Sequence, residues 1–223
     1  MLVLILLVVA LFIVLDITHF GASPAPSETT RLQDVEIRDY NGEPLSSVND
    51  FHENSIKGPQ YINETDYRLT IDGLTHRTLV LTYQDVINNH QQYSKIVTLH
   101  CVEGWDVTIL WEGVLVRDLL NEAGVDPRAK TVIFYAHDGY TTSFPVDYFY
   151  NRDIIMAHRM NNITLPAERG FPFELVAEDK WGYKWIKWIE RIEVSDNTDY
   201  RGYWEQRRYS NNGNLSSGFF SSD

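Results

Sequence analysis

One cysteine stands among the 223 residues, Cys101, inside HCVEGWD at positions 100–106. A lone thiol makes no internal disulfide. The segment before it, 94–100, is rich in apolar and β-branched residues and reads as a strand that empties into a glycine-containing turn at Cys101. That placement suits a ligand. A thiolate is a soft donor for transition metals, and a single thiolate leaves the remaining coordination positions to a group that is not protein. A buried, inert thiol is the ordinary alternative. His76, His90 and His158 show no metal-ligand spacing, so a separate zinc or haem site is not expected.

The elements that must position Cys101 alternate without strict βαβ order. In YRLTIDGL, Tyr67, Leu69 and Ile71 alternate with polar residues before an Asp72-Gly73 turn, which predicts a hairpin with 79–81 as its returning strand. Thr82 with Asp85 predicts a capped helix over 83–89 that delivers the Cys101 strand. Beyond Cys101, 107–111 reads as a strand, and Leu115, Val116, Leu119, Leu120 and Ala123 share one helical face ending at Gly124. The apolar run 131–136, the Asp138-Gly139 turn and a return over 141–144 predict a second hairpin. A helical turn begun by Pro145 follows, and strands over 154–160, 173–177 and 189–194 complete a mixed sheet. Short helices interleaved with strands in this way predict an α+β fold.

CVEGW with Trp111 and Gly113 behind it, FYAHDGYTTSF at 134–144, RGFPFELV at 169–176, WGYKWIKWIERIEV at 181–194 and GYWE at 202–205 follow one another in a specific order. In those blocks the chain resembles the molybdopterin-dependent oxidoreductases of the sulfite oxidase type, over roughly residues 56–205. The resemblance implies that family's mixed-sheet α+β domain and a molybdenum–molybdopterin cofactor, tungsten being the alternative metal. It makes Cys101 the protein's sulfur ligand to the metal, and the protein orients a cofactor that carries the redox chemistry. Trp185, Ile186 and Lys187 are then expected on the cofactor. Gly182, Lys184 and Lys187 offer its phosphate a close backbone approach and two positive charges. On spacing alone those lysines are a solvated pattern beside a Trp-rich core.

His100, His137, Asp138 and Tyr140 are expected to line the open side of the metal, where a histidine moves protons near neutral pH. Cys101, His100 and Tyr140 are thus the candidate catalytic residues, and His137 joins the candidate cofactor contacts. A histidine beside a turn is also an ordinary surface residue. Arg169 stands where relatives often carry Asn or His, and is suited to a cationic phosphate contact. Glu174 stands where many carry Arg, and is not.

Acidic residues outnumber basic ones, 31 to 19, for a net charge of -12, which argues against a nucleic-acid or anionic-membrane surface. Residues 1–15 are an unbroken apolar run, about 22 Å long as a helix and short of the ~30 Å hydrocarbon core unless 16–20 continue it. The first basic residue is Arg31 and no small-x-small motif precedes Ser23, so an uncleaved membrane anchor over 1–20 is expected, with a removed signal peptide as the alternative. Residues 21–55 read as a polar linker and an arm, 56–205 as one catalytic domain, and 206–223 as an unstructured tail. The functional expectation is an anchored extracytoplasmic oxidoreductase that moves an oxygen atom and two electrons between a small substrate and a haem or other redox carrier. A non-catalytic extracytoplasmic binding domain on the same fold is the alternative from a different class.

Overall fold

The computed structural model describes Leu32 and residues 35–220. The expected anchor therefore lies outside the described residues. Among the described residues no helix is long and apolar enough to cross a membrane.

A short ribbon, β1 (Asp39–Tyr40) with β2 (Glu43–Pro44), precedes the hairpin β3 (Leu69–Gly73) and β4 (Leu79–Leu81). Helix α1 (Tyr83–Asn89) is capped as its sequence predicts: Thr82 Oγ1 accepts from the Asp85 amide while Asp85 accepts from the Thr82 amide. Next come β5 (Tyr93–His100) and β6 (Asp106–Leu115), paired antiparallel from Tyr93↔Gly113 to His100↔Asp106, with Cys101 in the turn between them. Helix α2 (Val116–Ala123) buries Val116, Leu119, Leu120 and Ala123 completely, each leucine contributing about 1.5–3 kcal/mol of transfer energy. The second hairpin is β7 (Thr131–Ala136) with β8 (Thr141–Pro145), followed by α3 (Val146–Tyr150), β9 (Ile155–Met160), β10 (Ile163–Thr164), β11 (Glu174–Leu175) and β12 (Ile189–Ser195).

The single mixed sheet expected from the sequence is corrected to two sheets of five strands. One runs β10-β9-β6-β5 with β11 also on β9, and is antiparallel throughout. The other runs β4-β3-β12-β7-β8, with β12 parallel to β3 and antiparallel to β7. The reason is edge usage: β6 has both edges filled by β5 and β9, and β12 has both filled by β3 and β7. The Cys101 hairpin thus builds a sheet of its own. Strand β11 is only two residues long; Val176 N extends its link to β9 by donating to Ile155 O, while Leu175 N donates to Ile186 O in the segment before β12. At the register shift of β6, a Cβ on Gly113 would sit 2.1 Å from the Met156 carbonyl oxygen, so only glycine lets β9 approach. One continuous buried cluster joins the sheets, with Ile109 and Trp111 from the first and Ile71, Phe134 and Ile192 from the second.

Two flanking segments pack on this body. The buried Glu36 carboxylate accepts from Ser47 Oγ (2.5 Å), Val48 N (2.9 Å) and Asn161 Nδ2 (3.0 Å), which fastens the arm to the loop after β9. The unstructured tail expected from the sequence is a correction for the residues described: Trp181 N donates to Gly213 O, Lys180 Nζ reaches Asn212 O and Asn214 Oδ1, and Tyr209 bridges to Phe220. Low-complexity composition concealed aromatic rings, Tyr209, Phe219 and Phe220, that pack on one another and on Trp181.

Candidate active site

Cys101 is 9% exposed and opens on a cleft of about 270 Å³. The turn that holds it is fixed by its own backbone, with Cys101 N donating to Trp105 O and Gly104 N to Cys101 O. Its thiol faces Glu103 Oε2 at 3.9 Å, and that carboxylate is fixed by Trp105 Nε1 (3.0 Å) and Asn54 Nδ2 (3.1 Å). Burial, and the Glu103 carboxylate beside it, hold the thiol pKa above its ordinary value.

The block 181–187 forms a second side of the cleft. His100 pairs in parallel with Trp181, and a Cβ on Gly182 would lie 3.3 Å from His100 O and 3.5 Å from Cys101 Cα, so this backbone passes directly beside the cysteine. Trp185 is pinned by its indole N–H to Lys180 O (3.1 Å) and lies 5.7 Å from Trp111. Trp188 Nε1 donates to Ala167 O (2.7 Å). Lys187 reaches the cleft, its Nζ 3.0 Å from Glu53 Oε1 and 4.4 Å from the Trp188 ring centroid. Arg169 lines the cleft as well, donating to Val48 O (3.0 Å) and Phe51 O (3.3 Å) with its guanidinium 4.8 Å over the Phe51 ring.

Of the residues singled out in the sequence, Cys101, Tyr140, Arg169, Trp185 and Lys187 come together on the cleft. His100, His137, Lys184 and Ile186 do not line it. His100 Nδ1 pairs with Asp106 at 2.7 Å, across the end of its own hairpin, and His137 Nδ1 with Glu190 at 3.0 Å; both pairs are solvent-exposed. Lys184 is fully buried, its ammonium 2.6 Å from Glu205 Oε1 and donating to Ser143 O and Asn211 O. Of the two lysines expected at the phosphate, only Lys187 lies on the cleft: the 3₁₀ turn Gly182–Lys184 and the extended Trp185 that follows aim Lys184 into the protein and Lys187 towards the cleft. Tyr140 donates its hydroxyl to Tyr183 O, and burial keeps its pKa far above the ordinary value, so it offers the cleft a ring rather than a proton.

Sequence reasoning missed Phe51, His52, Asn54 and Ser55 from the arm, and Trp204 and Tyr209 from the other flank. No local spacing marks either group; Val102, Glu103 and Trp105, all within four residues of the cysteine, are missed neighbours that the sequence itself places beside it.

Residues 56–204 match the family described as the oxidoreductase molybdopterin binding domain. The chain belongs to that family. It is 32% identical to the oxidoreductase YuiH of Bacillus subtilis over 152 residues, covering 68% of this chain and 76% of that protein. It is 29% identical to the catalytic subunit MsrP of the protein-methionine-sulfoxide reductase of Gluconobacter oxydans, over 61% of this chain and 49% of that one. Among solved structures, the sulfane dehydrogenase SoxCD of Paracoccus pantotrophus shares the fold, with a TM-score of 0.64 at 22% identity over 85% of this chain and 57% of its own. The chain thus spans about half the length of two of these relatives.

The cleft fits the family's cofactor, an anionic, flat heterocycle with a metal-binding end. It offers one thiol, two cations and the faces of Trp105, Trp185 and Trp188. Ser55 Oγ and Glu168 Oε2 line it as buried polar atoms with no protein partner. Glu174, whose type departs from the expected pattern, does not oppose an anion there. Burial raises its pKa from 4.5 to about 8 against the pull of Lys187 and Arg169, so near neutral pH it is largely an uncharged acid.

That shift has a stability consequence. Because the folded pKa is raised, the stability tied to the protonated form is complete below about pH 4.5 and is lost as pH rises through about 8. Relative to Glu174→Gln, the wild type should lose at most about 4 kcal/mol between pH 5 and 8. Urea midpoints of the two proteins across that range check this, and parallel curves would refute it.

Proposed function

We propose that this molybdopterin-family oxidoreductase transfers an oxygen atom, and with it two electrons, between a small substrate and an electron carrier, and that Cys101 is its protein ligand to molybdenum. The observation that carries this reading is the position of the sole cysteine: its thiol opens on the cleft in which two cations and four indole rings converge. When bound, the molybdenum cofactor supplies the redox chemistry. The protein supplies the rest. Lys187 and Arg169 bind the anionic end of the group, and Trp185 and Trp188 give it flat apolar faces. Phe51 and Trp105, packed 6.1 Å apart, exclude water beside the cysteine. Burial holds the Cys101 thiol above its ordinary pKa, and a bound metal cation would favour the thiolate. Glu174 holds a proton in the cleft wall near neutral pH.

An electron carrier, haem or another redox protein, is the natural partner for such a subunit, in keeping with the relative whose name calls it a catalytic subunit. Residues 1–20 anchor the chain in a membrane with the catalytic domain on the extracytoplasmic side, a reading supported by their unbroken apolar start. Tungsten is the alternative metal. One preparation tests all of this: the full chain, made with molybdate in the medium, should sediment with membranes and carry close to one molybdenum per chain. A folded protein holding neither molybdenum nor tungsten refutes the catalytic reading, and recovery of the intact chain in the soluble fraction refutes the anchor.

A further inference from the structure

We propose that the C-terminal flank, residues 200–220, is a docking surface for an acidic electron-carrier protein. The proposal rests on the electron-carrier reading above and adds which face the carrier meets and the charge it must bear. Although the whole chain carries a net charge of -12, this stretch is basic, with three arginines, Arg201, Arg207 and Arg208, and one acid, Glu205. That acid is buried and answered by Lys184. The three arginines are exposed, and Arg207 and Arg208 enter no ion pair among the described residues. The Arg207 guanidinium stacks over the Tyr203 ring, 3.7 Å from its centroid, and donates to Tyr203 O. Tyr203 packs in turn on Tyr140 at 5.7 Å, and Lys57 reaches the same β7–β8 turn, its Nζ 3.4 Å from where a Cβ on Gly139 would lie.

Apolar surface stands among these charges. Phe220 is 61% exposed, with its ring 5.2 Å from that of Tyr209, which lies 5.1 Å from Trp204. Tyr209 and Trp204 both line the cleft that holds Cys101, so a carrier seated on Phe220 is one ring away from it. The 3₁₀ turn Glu205–Arg207, rooted in the buried Lys184–Glu205 pair, fixes the shape of this face. An apolar centre beside unpaired charge suits a small, steered, transient interface. A one-electron carrier would dock twice for each two-electron turnover, each copy changing by one electron, so rapid release matters as much as affinity. Arginines among stacked rings also suit a single-stranded nucleic acid. A long polyanion leaving the patch meets a chain of net charge -12, whereas a compact acidic protein stays on the patch.

Plant-type ferredoxin, an acidic one-electron carrier, and mitochondrial cytochrome c, a basic one, are titrated over the immobilised full chain by biolayer interferometry. Ferredoxin should bind about ten-fold more tightly, the reverse of what net charge predicts. Its affinity should fall about ten-fold between about 0.01 and 0.1 M salt, as the Debye length shrinks from about 30 to about 10 Å. Arg207→Gln with Arg208→Gln should weaken it about ten-fold, and Phe220→Ser about five-fold with the salt dependence kept. Arg68→Gln with Arg77→Gln removes the same charge from exposed arginines outside the flank and should leave binding unchanged. No binding of ferredoxin, tighter binding of cytochrome c, or equal losses in the two double variants would overturn the surface. So would a thymidine oligonucleotide that binds this flank more tightly than ferredoxin. The readout needs no turnover: ferredoxin held at these arginines by a chain without molybdenum or tungsten would uphold the surface and refute the catalytic reading instead.

Discussion

Cys101→Ser should yield a folded protein without turnover. The residue is 9% exposed in a turn whose shape is set by backbone hydrogen bonds, Cys101 N to Trp105 O and Gly104 N to Cys101 O, and neither depends on the side chain. Exchanging sulfur for oxygen there removes little volume, and a hydroxyl can still point at Glu103. The cost to the fold should stay within about 1 kcal/mol. The chemistry has no such reserve, because the sequence holds no second thiol to replace the sulfur ligand proposed above. Activity should fall to background while the melting curve barely moves. X-ray absorption at the molybdenum edge should lose one sulfur neighbour. Undiminished turnover, or an unchanged sulfur shell, would remove Cys101 from the metal.

Lys184→Met should be the most damaging single change to stability among the residues of the 181–187 block. Lys184 and Glu205 are both fully buried, with Thr142 Oγ1 donating to the same carboxylate oxygen at 2.7 Å. Removing the ammonium leaves a buried carboxylate uncompensated and two carbonyls, Ser143 O and Asn211 O, without their donor, a loss on the order of 3–5 kcal/mol. Lys184→Met with Glu205→Leu removes both charges and should recover much of it, since replacing a whole buried pair by apolar residues is often close to neutral. Urea unfolding of the two single variants and the double variant measures the coupling. A cofactor clamp predicts the opposite pattern, with metal content lost and stability kept, and a cost below about 1 kcal/mol would show that the pair is not what fastens this region.

Signals that are local in the chain were legible. The Thr82 cap, the buried face of α2 and the second hairpin each depend on residues within a few positions of one another and stand where their patterns put them. The first hairpin pairs 69–71 with 79–81 as expected but keeps Asp72 and Gly73 in β3, paired to β12, rather than in its turn. Strand partners were not legible: alternation shows that β12 is a strand but not that it lies between β3 and β7. The GYKWIK block shows the same limit at the site. Two lysines three residues apart are equivalent in sequence, and only the tight turn at Gly182–Lys184 sends one inwards to Glu205 and the other to the cleft. The histidines failed differently. Once the Cys101 hairpin is drawn in register, His100 falls opposite Asp106, which already directs it to an exposed pair. Nothing local foretold that Glu36 would bind the loop at Asn161, nor that Lys187 would meet Glu53, because these contacts join residues more than a hundred positions apart.

The cleft is walled by segments that belong to neither sheet: Phe51 to Ser55 come from the arm, and Trp204 and Tyr209 from the other flank. Cys101, Trp185 and Lys187 sit instead on the sheet-bound body. Selection can therefore act on the two groups separately. Exchanges in the flanks change who is admitted without asking the strands to repack, while exchanges in the body must answer to the core and the cofactor at once. Descendants of such a chain would be expected to keep one chemistry and trade clientele, with their differences gathered at the margins of the molecule.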